Sequence, residues 1–334
     1  MYKLPPFLSL TLLLLFTMTS CGAGAKKKQT EASKVVSIPT FDADSAYHYV
    51  EAQTLYGPRV PNSKSHESCK NYLVSSLRKT GAAVIEQTAD LKAYDGTILR
   101  ATNIIASFQP ENKNRILLCA HWDSRPWADN DPDEKNWHTP VLGANDGASG
   151  VGVLMEIARQ LGLELTKKNQ PNVGIDIIFF DAEDYGTPKF HQGNDDEASW
   201  CLGTQYWAQN PHKPGYNAQF GILLDMVGGK APNFLYEYFS YKYASQVLQM
   251  VWEKASLLGY NNYFKQENGG AITDDHLYIN KMTSIPCIDI IDQDPSSKTG
   301  FVPAWHTIDD SMKHIDKTSL KAVGETLLNV IYAQ

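Results

Sequence analysis

Continuous apolar runs of strand length recur along this chain, and two of them close on an acid. Ile175 to Asp181 reads Ile-Asp-Ile-Ile-Phe-Phe-Asp, Phe220 to Asp225 repeats the pattern, and Ile285 to Ile291 is a third such run. Runs of this kind predict strands covered on both sheet faces. Shorter apolar segments at Val84 to Gln87, Asn103 to Phe108 and Ile116 to Cys119 predict further strands. Between them, apolar positions at helical spacing predict helices over Ala46–Leu55, Ser63–Lys79, Val151–Leu163, Tyr241–Leu258 and Ser319–Tyr332, the third opened by Ser149 as N-cap. Strands alternating with helices predict an α/β fold, a three-layer α/β/α sandwich around a mainly parallel or mixed central sheet. Ligands of such folds gather outside the carboxyl ends of the strands.

The first forty residues do not share this pattern. Lys3 precedes a short apolar stretch from Phe7 to Phe16, too short to span a bilayer, followed by Met18-Thr19-Ser20-Cys21-Gly22. This resembles a bacterial lipoprotein signal, with residues 1–20 as signal peptide and Cys21 as the lipidated mature N-terminus. Residues 21–40, with Lys26-Lys27-Lys28, read as a flexible tether. Residues 41–334 then form a single catalytic domain, and the expected location is the periplasm, anchored to a membrane by lipid without spanning it.

Composition narrows the function. Thirty basic against 37 acidic side chains leave a formal charge of −7, which argues against a nucleic-acid partner. Hydrophobic residues at 43% are enough for a packed core. Five cysteines without a CxxC pair exclude a disulfide scaffold and a structural zinc site of that kind. Cys69, Cys119, Cys201 and Cys287 are expected to be available for pairing in an oxidising periplasm, with Cys119 equally readable as a small core residue. Ser149 lies in GASG, which is not the nucleophile elbow GxSxG.

The candidate chemistry sits at strand ends. His121 and Asp123 follow one strand, spaced so that the acid can orient the imidazole. Asp146 lies among small residues ahead of a helix, which lets backbone approach a metal closely. Glu183 and Asp184 follow the buried run that ends at Asp181, and adjacent buried carboxylates call for a cation or a proton. Asp225 ends another strand, and His306 stands in Trp305-His306-Thr307-Ile308-Asp309-Asp310. Together these form a nitrogen and oxygen ligand set suited to catalytic zinc.

The order of these segments from about Asn103 to Tyr332 resembles the zinc aminopeptidase superfamily. In its two-zinc aminopeptidases the resemblance implies His121, Asp146 and Asp225 on one metal and Asp146, Asp184 and His306 on the other, with Glu183 as base. Thr273-Asp274-Asp275-His276 and the Trp305-His306 segment resemble the animal-type glutaminyl cyclases of the same fold. That likeness implies one zinc on Asp146, Asp184 and His306. It also implies a carboxylate network of Glu183, Asp225 and Asp274, and a pocket lined by Trp305 for an N-terminal glutamine. The expected partners are peptide or protein N-termini bearing Gln. The alternative is a two-zinc aminopeptidase, in which His121 and Asp225 become ligands.

Position 184 is Asp where the superfamily usually has Glu, so either this strand end sits closer to the metal or Glu183 shares in ligation. The polar stretch Tyr185 to Ser199 has no counterpart that can be matched, and Trp200 is expected as a second aromatic wall. Trp122, Trp127 and Trp137, with Asp129 and Asp131, mark a long loop readable as a lid or as a packed surface loop. His276 is expected behind the site, through the loop of Asp274. The aromatic stretch Tyr236 to Tyr243 is expected in the core or the cleft wall.

Overall fold

The computed structural model describes residues 1–3, 37–193 and 196–334. The signal segment from residue 4, Cys21 and the tether up to residue 36 lie outside the described residues. Val36–Gln334 forms one unit.

Its sheet is mixed. β1 (Ala83–Lys92) and β2 (Ile98–Phe108) form an antiparallel hairpin, and β2 continues antiparallel onto β4 (Gly174–Phe180). From β4 the sheet passes through β3 (Arg115–His121) and β5 (Phe220–Asp225) to β8 (Cys287–Ile291), all parallel. Every residue of these four parallel strands is buried, which is why the sequence shows continuous apolar runs there. β6 (Phe234–Tyr236) and β7 (Phe264–Asn268) pair as a separate two-stranded ribbon.

The period of two sorts the strands onto two helical layers. Leu118, Ala120, Ile177, Ile222, Leu224 and Ile288 share a core with α1 (Ala43–Thr54), α2 (Lys64–Lys79), α3 (Ala148–Lys167), α5 (Tyr238–Leu257) and α7 (Lys317–Ile331). On the other face Leu117, Cys119, Ile178, Leu223 and Cys287 pack with α4 (Leu202–Gln209) and α6 (Asp275–Met282). The three-layer expectation is met. Because α3 follows β3 on one face and α4 follows β4 on the other, a crevice opens beyond the carboxyl ends of β3, β4 and β5.

Close backbone packing sets the floor of that crevice. A Cβ on Gly150 of α3 would lie 2.3 Å from the Leu224 carbonyl, and one on Gly203 of α4 would lie 2.1 Å from that of Asp181. Only glycine lets both helices approach the strand ends this tightly.

Several expectations are corrected. The N-cap of α3 is Gly147, at φ 93°, and Ser149 lies inside the first turn. Its hydroxyl donates to Asn145 O at 2.6 Å and accepts from Val227 N at 3.0 Å, tying two site loops together. Cys69, Cys119, Cys201 and Cys287 are all buried free thiols, so the pairing open to them is not made, and Cys119 is the small core residue of the other reading. Cys119 and Cys287 stand on β3 and β8 with β5 between them, and their side chains interact over Gly221 without being bonded. Tyr238, Tyr241 and Tyr243 are exposed on the start of α5 rather than in the core or cleft wall. β1 and β2 also run longer than their apolar segments, since hairpin pairing extends strands past the buried stretch.

Candidate metal centre and active site

Strand ends and loops converge on one cleft of about 340 Å³, lined by Asp146, Glu183, Asp184, Asp225, Asp274 and His306, with Trp200 and Trp305 on its walls. At the end of β3, His121 Nε2 lies 3.0 Å from Asp146 Oδ1 and 3.3 Å from Asp225 Oδ1. His306 Nε2 lies 3.2 Å from Asp184 Oδ1 and 3.4 Å from Asp146 Oδ2. Asp146 therefore sits between the two imidazoles. Two sets of three ligand atoms, each set within 4.8 Å, result: His121, Asp146 and Asp225, and Asp146, Asp184 and His306.

Burial and charge give this cluster its character. Burial opposes ionisation of Asp146, yet hydrogen bonds from His121 and His306 hold its carboxyl well below the usual range. Burial, reinforced by Asp146 and opposed by His121, pushes Asp225 up to about 7. Burial also raises Asp184, and the Asp146 charge adds to it. Against the burial that disfavours their charged forms, the surrounding carboxylates raise both His121 and His306. Buried acids that favour the charged forms of two histidines mark a site short of positive charge. Asp184 Oδ2 is buried without a hydrogen-bond partner among the described residues. This donor set fits a divalent cation bound by nitrogen and oxygen, as zinc is in catalytic sites.

The shorter side chain at position 184 is accommodated. Asp184 by itself reaches His306, while the Glu183 carboxylate turns to a different group formed with Cys201 and Asp274. Burial, together with the charges of Asp184 and Asp274, raises Glu183 well above the ordinary carboxylate range, against the pull of His121. Asp274 is raised by burial as well.

These side chains are held in place by contacts that sequence reasoning passed over. Asp123 accepts the amides of Glu183 and Asp184 at 3.1 and 3.2 Å, besides lying 3.6 Å from His121 Nδ1. Asp310 accepts the amides of Asn145 and Asp146 at 2.8 and 3.0 Å. Arg125 is buried, grips Asp129 through two hydrogen bonds of 2.8 and 2.7 Å, and donates to the Asp184 carbonyl at 3.0 Å. Asp129 in turn lies 3.6 Å from His306 Nδ1. Ala182, Cys201, Met226 and His306 all adopt positive φ, a backbone cost concentrated at this site.

The loop after β3 is packed rather than lid-like. Trp122 is fully buried and stacks on His66 at 4.2 Å, and Trp127 meets Tyr185 and Tyr94 edge-on. Trp200 is a wall of the cleft, its ring parallel to His306 and covered by the Arg125 guanidinium at 4.7 Å. Trp305 stacks on His306 at 3.7 Å and meets Phe301 at a tilt, 4.4 Å between ring centres. His276 lies behind Asp274, bonded to Glu237 at 2.8 Å.

Comparison with known proteins agrees with this geometry. Residues 103–331 match the model of peptidase family M28. A crystal structure of Bacteroides thetaiotaomicron glutaminyl cyclase bound to N-acetylhistamine is 60% identical, covering 89% of this chain and 100% of that one, with a TM-score of 0.86. A second crystal structure from Bacteroides thetaiotaomicron, of a leucine aminopeptidase precursor, is 59% identical over 90% of this chain and 100% of that chain, at a TM-score of 0.85. Glutaminyl-peptide cyclotransferase of Bos taurus is 24% identical, aligned over 80% of this chain and 76% of its own.

Proposed function

The chain belongs to peptidase family M28, and on that premise we propose that it is a zinc-dependent glutaminyl-peptide cyclotransferase rather than an aminopeptidase. It converts N-terminal glutamine of peptides and proteins to pyroglutamate and releases ammonia. The observation that carries the reading is the buried proximity of Glu183 to Asp274 beside a tryptophan-walled cleft, features that peptide hydrolysis does not require.

The nucleophile is the substrate's own α-amine, which attacks the γ-amide carbon, so no activated water is needed. One zinc held by Asp146, Asp184 and His306 would supply Lewis-acid polarisation of the γ-carbonyl. Glu183 takes the proton that the amine loses and returns it to the departing amide nitrogen, one group serving as base and then acid. A carboxyl raised toward neutrality suits both halves of that task, and its burial beside Asp274 supports the role. Asp274 adds its like charge to both Glu183 and Asp225, so the three carboxyls form one electrostatic network. Trp305 and Trp200 hold the glutamine side chain bent toward its amine, and such positioning is worth much in a ring closure. In this reading His121 keeps its hydrogen bonds to Asp146 and Asp225.

A coupled ammonia assay on a glutaminyl dipeptide, run beside hydrolysis of a leucine anilide, tests the assignment. Ammonia without anilide cleavage is expected. Anilide cleavage with two tightly held zincs per chain would instead assign His121 and Asp225 to a second metal and make this an aminopeptidase.

The segment Met18 to Gly22 supports a lipid anchor at Cys21 and a periplasmic, membrane-tethered enzyme. No helix among the described residues is long and apolar enough to cross a membrane. Cys21→Ser is expected to move the protein from the membrane fraction to the soluble fraction. Unchanged membrane retention would remove the anchor from Cys21.

A further inference from the structure

At the cleft wall, Glu183, Cys201 and Asp274 each offer one ligand atom, and these three atoms lie within 4.8 Å of one another. Cys201 Sγ is 3.2 Å from Glu183 Oε1. With zinc–sulfur bonds of about 2.3 Å and zinc–oxygen bonds of about 2.0–2.2 Å, tetrahedral ligands sit roughly 3.5 Å apart, so little movement is needed. Asp274 is 3% exposed. Its Oδ1 accepts the Asp275 amide at 2.5 Å, while Oδ2 is buried with no hydrogen-bond partner among the described residues. Cys201 is held rigidly at the head of α4, its amide donating to the Glu183 carbonyl at 3.0 Å. Glu183 and Asp274 line the cleft, so an ion arriving from solvent meets two carboxylates first and the thiol last.

We infer that Glu183, Cys201 and Asp274 form a second metal site, selective for soft divalent cations such as zinc, whose occupation switches the enzyme off. It differs in chemistry from the Asp146, Asp184 and His306 centre, because it alone contains sulfur. Binding exchanges the Cys201 S–H proton for a sulfur–metal bond, and the proton leaves to water through the cleft. Burial, with the Glu183 carboxylate adding to it, holds the Cys201 thiol well above its usual range. A metal must displace the proton of the Cys201 thiol, so this site fills after the first and only at excess zinc. The inhibition rests on the reading of Glu183 as base, since a carboxylate that ligates zinc cannot take the amine proton. The binding itself does not rest on it.

Titrating the zinc-loaded full chain with cobalt(II) tests this. A near-ultraviolet sulfur-to-cobalt band is expected to grow to saturation, because the first centre has no thiolate to produce it. In Cys201→Ser the band is expected to vanish, and excess zinc, which suppresses wild-type ammonia release by about tenfold or more, is expected to leave the variant nearly unaffected. Asp274→Asn, which keeps the thiol, is expected to need at least about tenfold more cobalt for the same band and serves if the serine variant does not fold. No band in the wild type, or a band that survives Cys201→Ser, would overturn the site. A normal band with ammonia release unaffected by excess zinc would leave the site standing and overturn the inhibition, and with it the role of Glu183.

Discussion

Replacing Glu183 by Gln is expected to abolish turnover while leaving zinc content and fold unchanged. Gln has the shape of Glu and can still accept a hydrogen bond from Cys201, which lies 3.2 Å from Oε1 in the native chain. It cannot take a proton from the substrate amine. General acid–base catalysis contributes about 10²–10⁴-fold, and Glu183 performs both transfers in the proposed reaction, so the loss should lie toward the upper end of that range. Zinc should stay because Glu183 belongs to a different cluster from Asp146, Asp184 and His306. Ammonia release and metal analysis on the same preparation check both halves. Near-normal turnover would remove Glu183 from the mechanism, and lost zinc would make it a ligand.

Asp146→Asn is expected to abolish the metal centre itself. Asp146 lies between His121 and His306, at 3.0 and 3.4 Å, and both candidate ligand sets contain it. The amide keeps the size of the side chain and leaves the backbone hydrogen bonds from Asn145 and Asp146 to Asp310 in place. It removes the one carboxylate that the two imidazoles keep ionised. A ligand that binds only the folded state stabilises it by about 4 kcal/mol at a thousand times its dissociation constant. Wild-type protein stripped by a chelator should therefore regain thermal stability when zinc is returned, by about 2–4 °C per kcal/mol for a domain of this size. Asp146→Asn should show no such gain at the same zinc concentration and no ammonia release. A full zinc-dependent shift in the variant would move the centre away from Asp146.

How far these features could be read from the chain depended on how local their cause is. The buried runs at Ile175 and Phe220 announced strands, because residues covered on both faces leave an apolar record in consecutive positions. The chemistry at their ends was legible for a related reason. His121, Asp146, Glu183, Asp184, Asp225 and His306 stand where buried runs stop or small residues gather, and a charge there needs a partner.

The residues that hold the site were not legible. Asp310 binds the amides of Asn145 and Asp146 from 165 and 164 positions away, and Asp123 binds those of Glu183 and Asp184 across 60 and 61. Neither contact leaves any period in the chain. Arg125 reads as an ordinary loop cation, yet it is buried and clamps Asp129 behind His306. Cys201 carries no spacing signal at all, since its meaning comes only from Glu183 beside it.

The sequence by itself determined the layered α/β architecture and which side chains are candidates for metal and proton chemistry, because burial and strand ends are properties of consecutive residues. Only the tertiary structure decided how those candidates divide. Asp184 joins His306 and Asp146, Glu183 joins Cys201 and Asp274, and the four cysteines among the described residues remain unpaired. The physical reason is that partition among crowded acids is set by distances between distant segments, which chain folding brings within a few ångströms and no local pattern records.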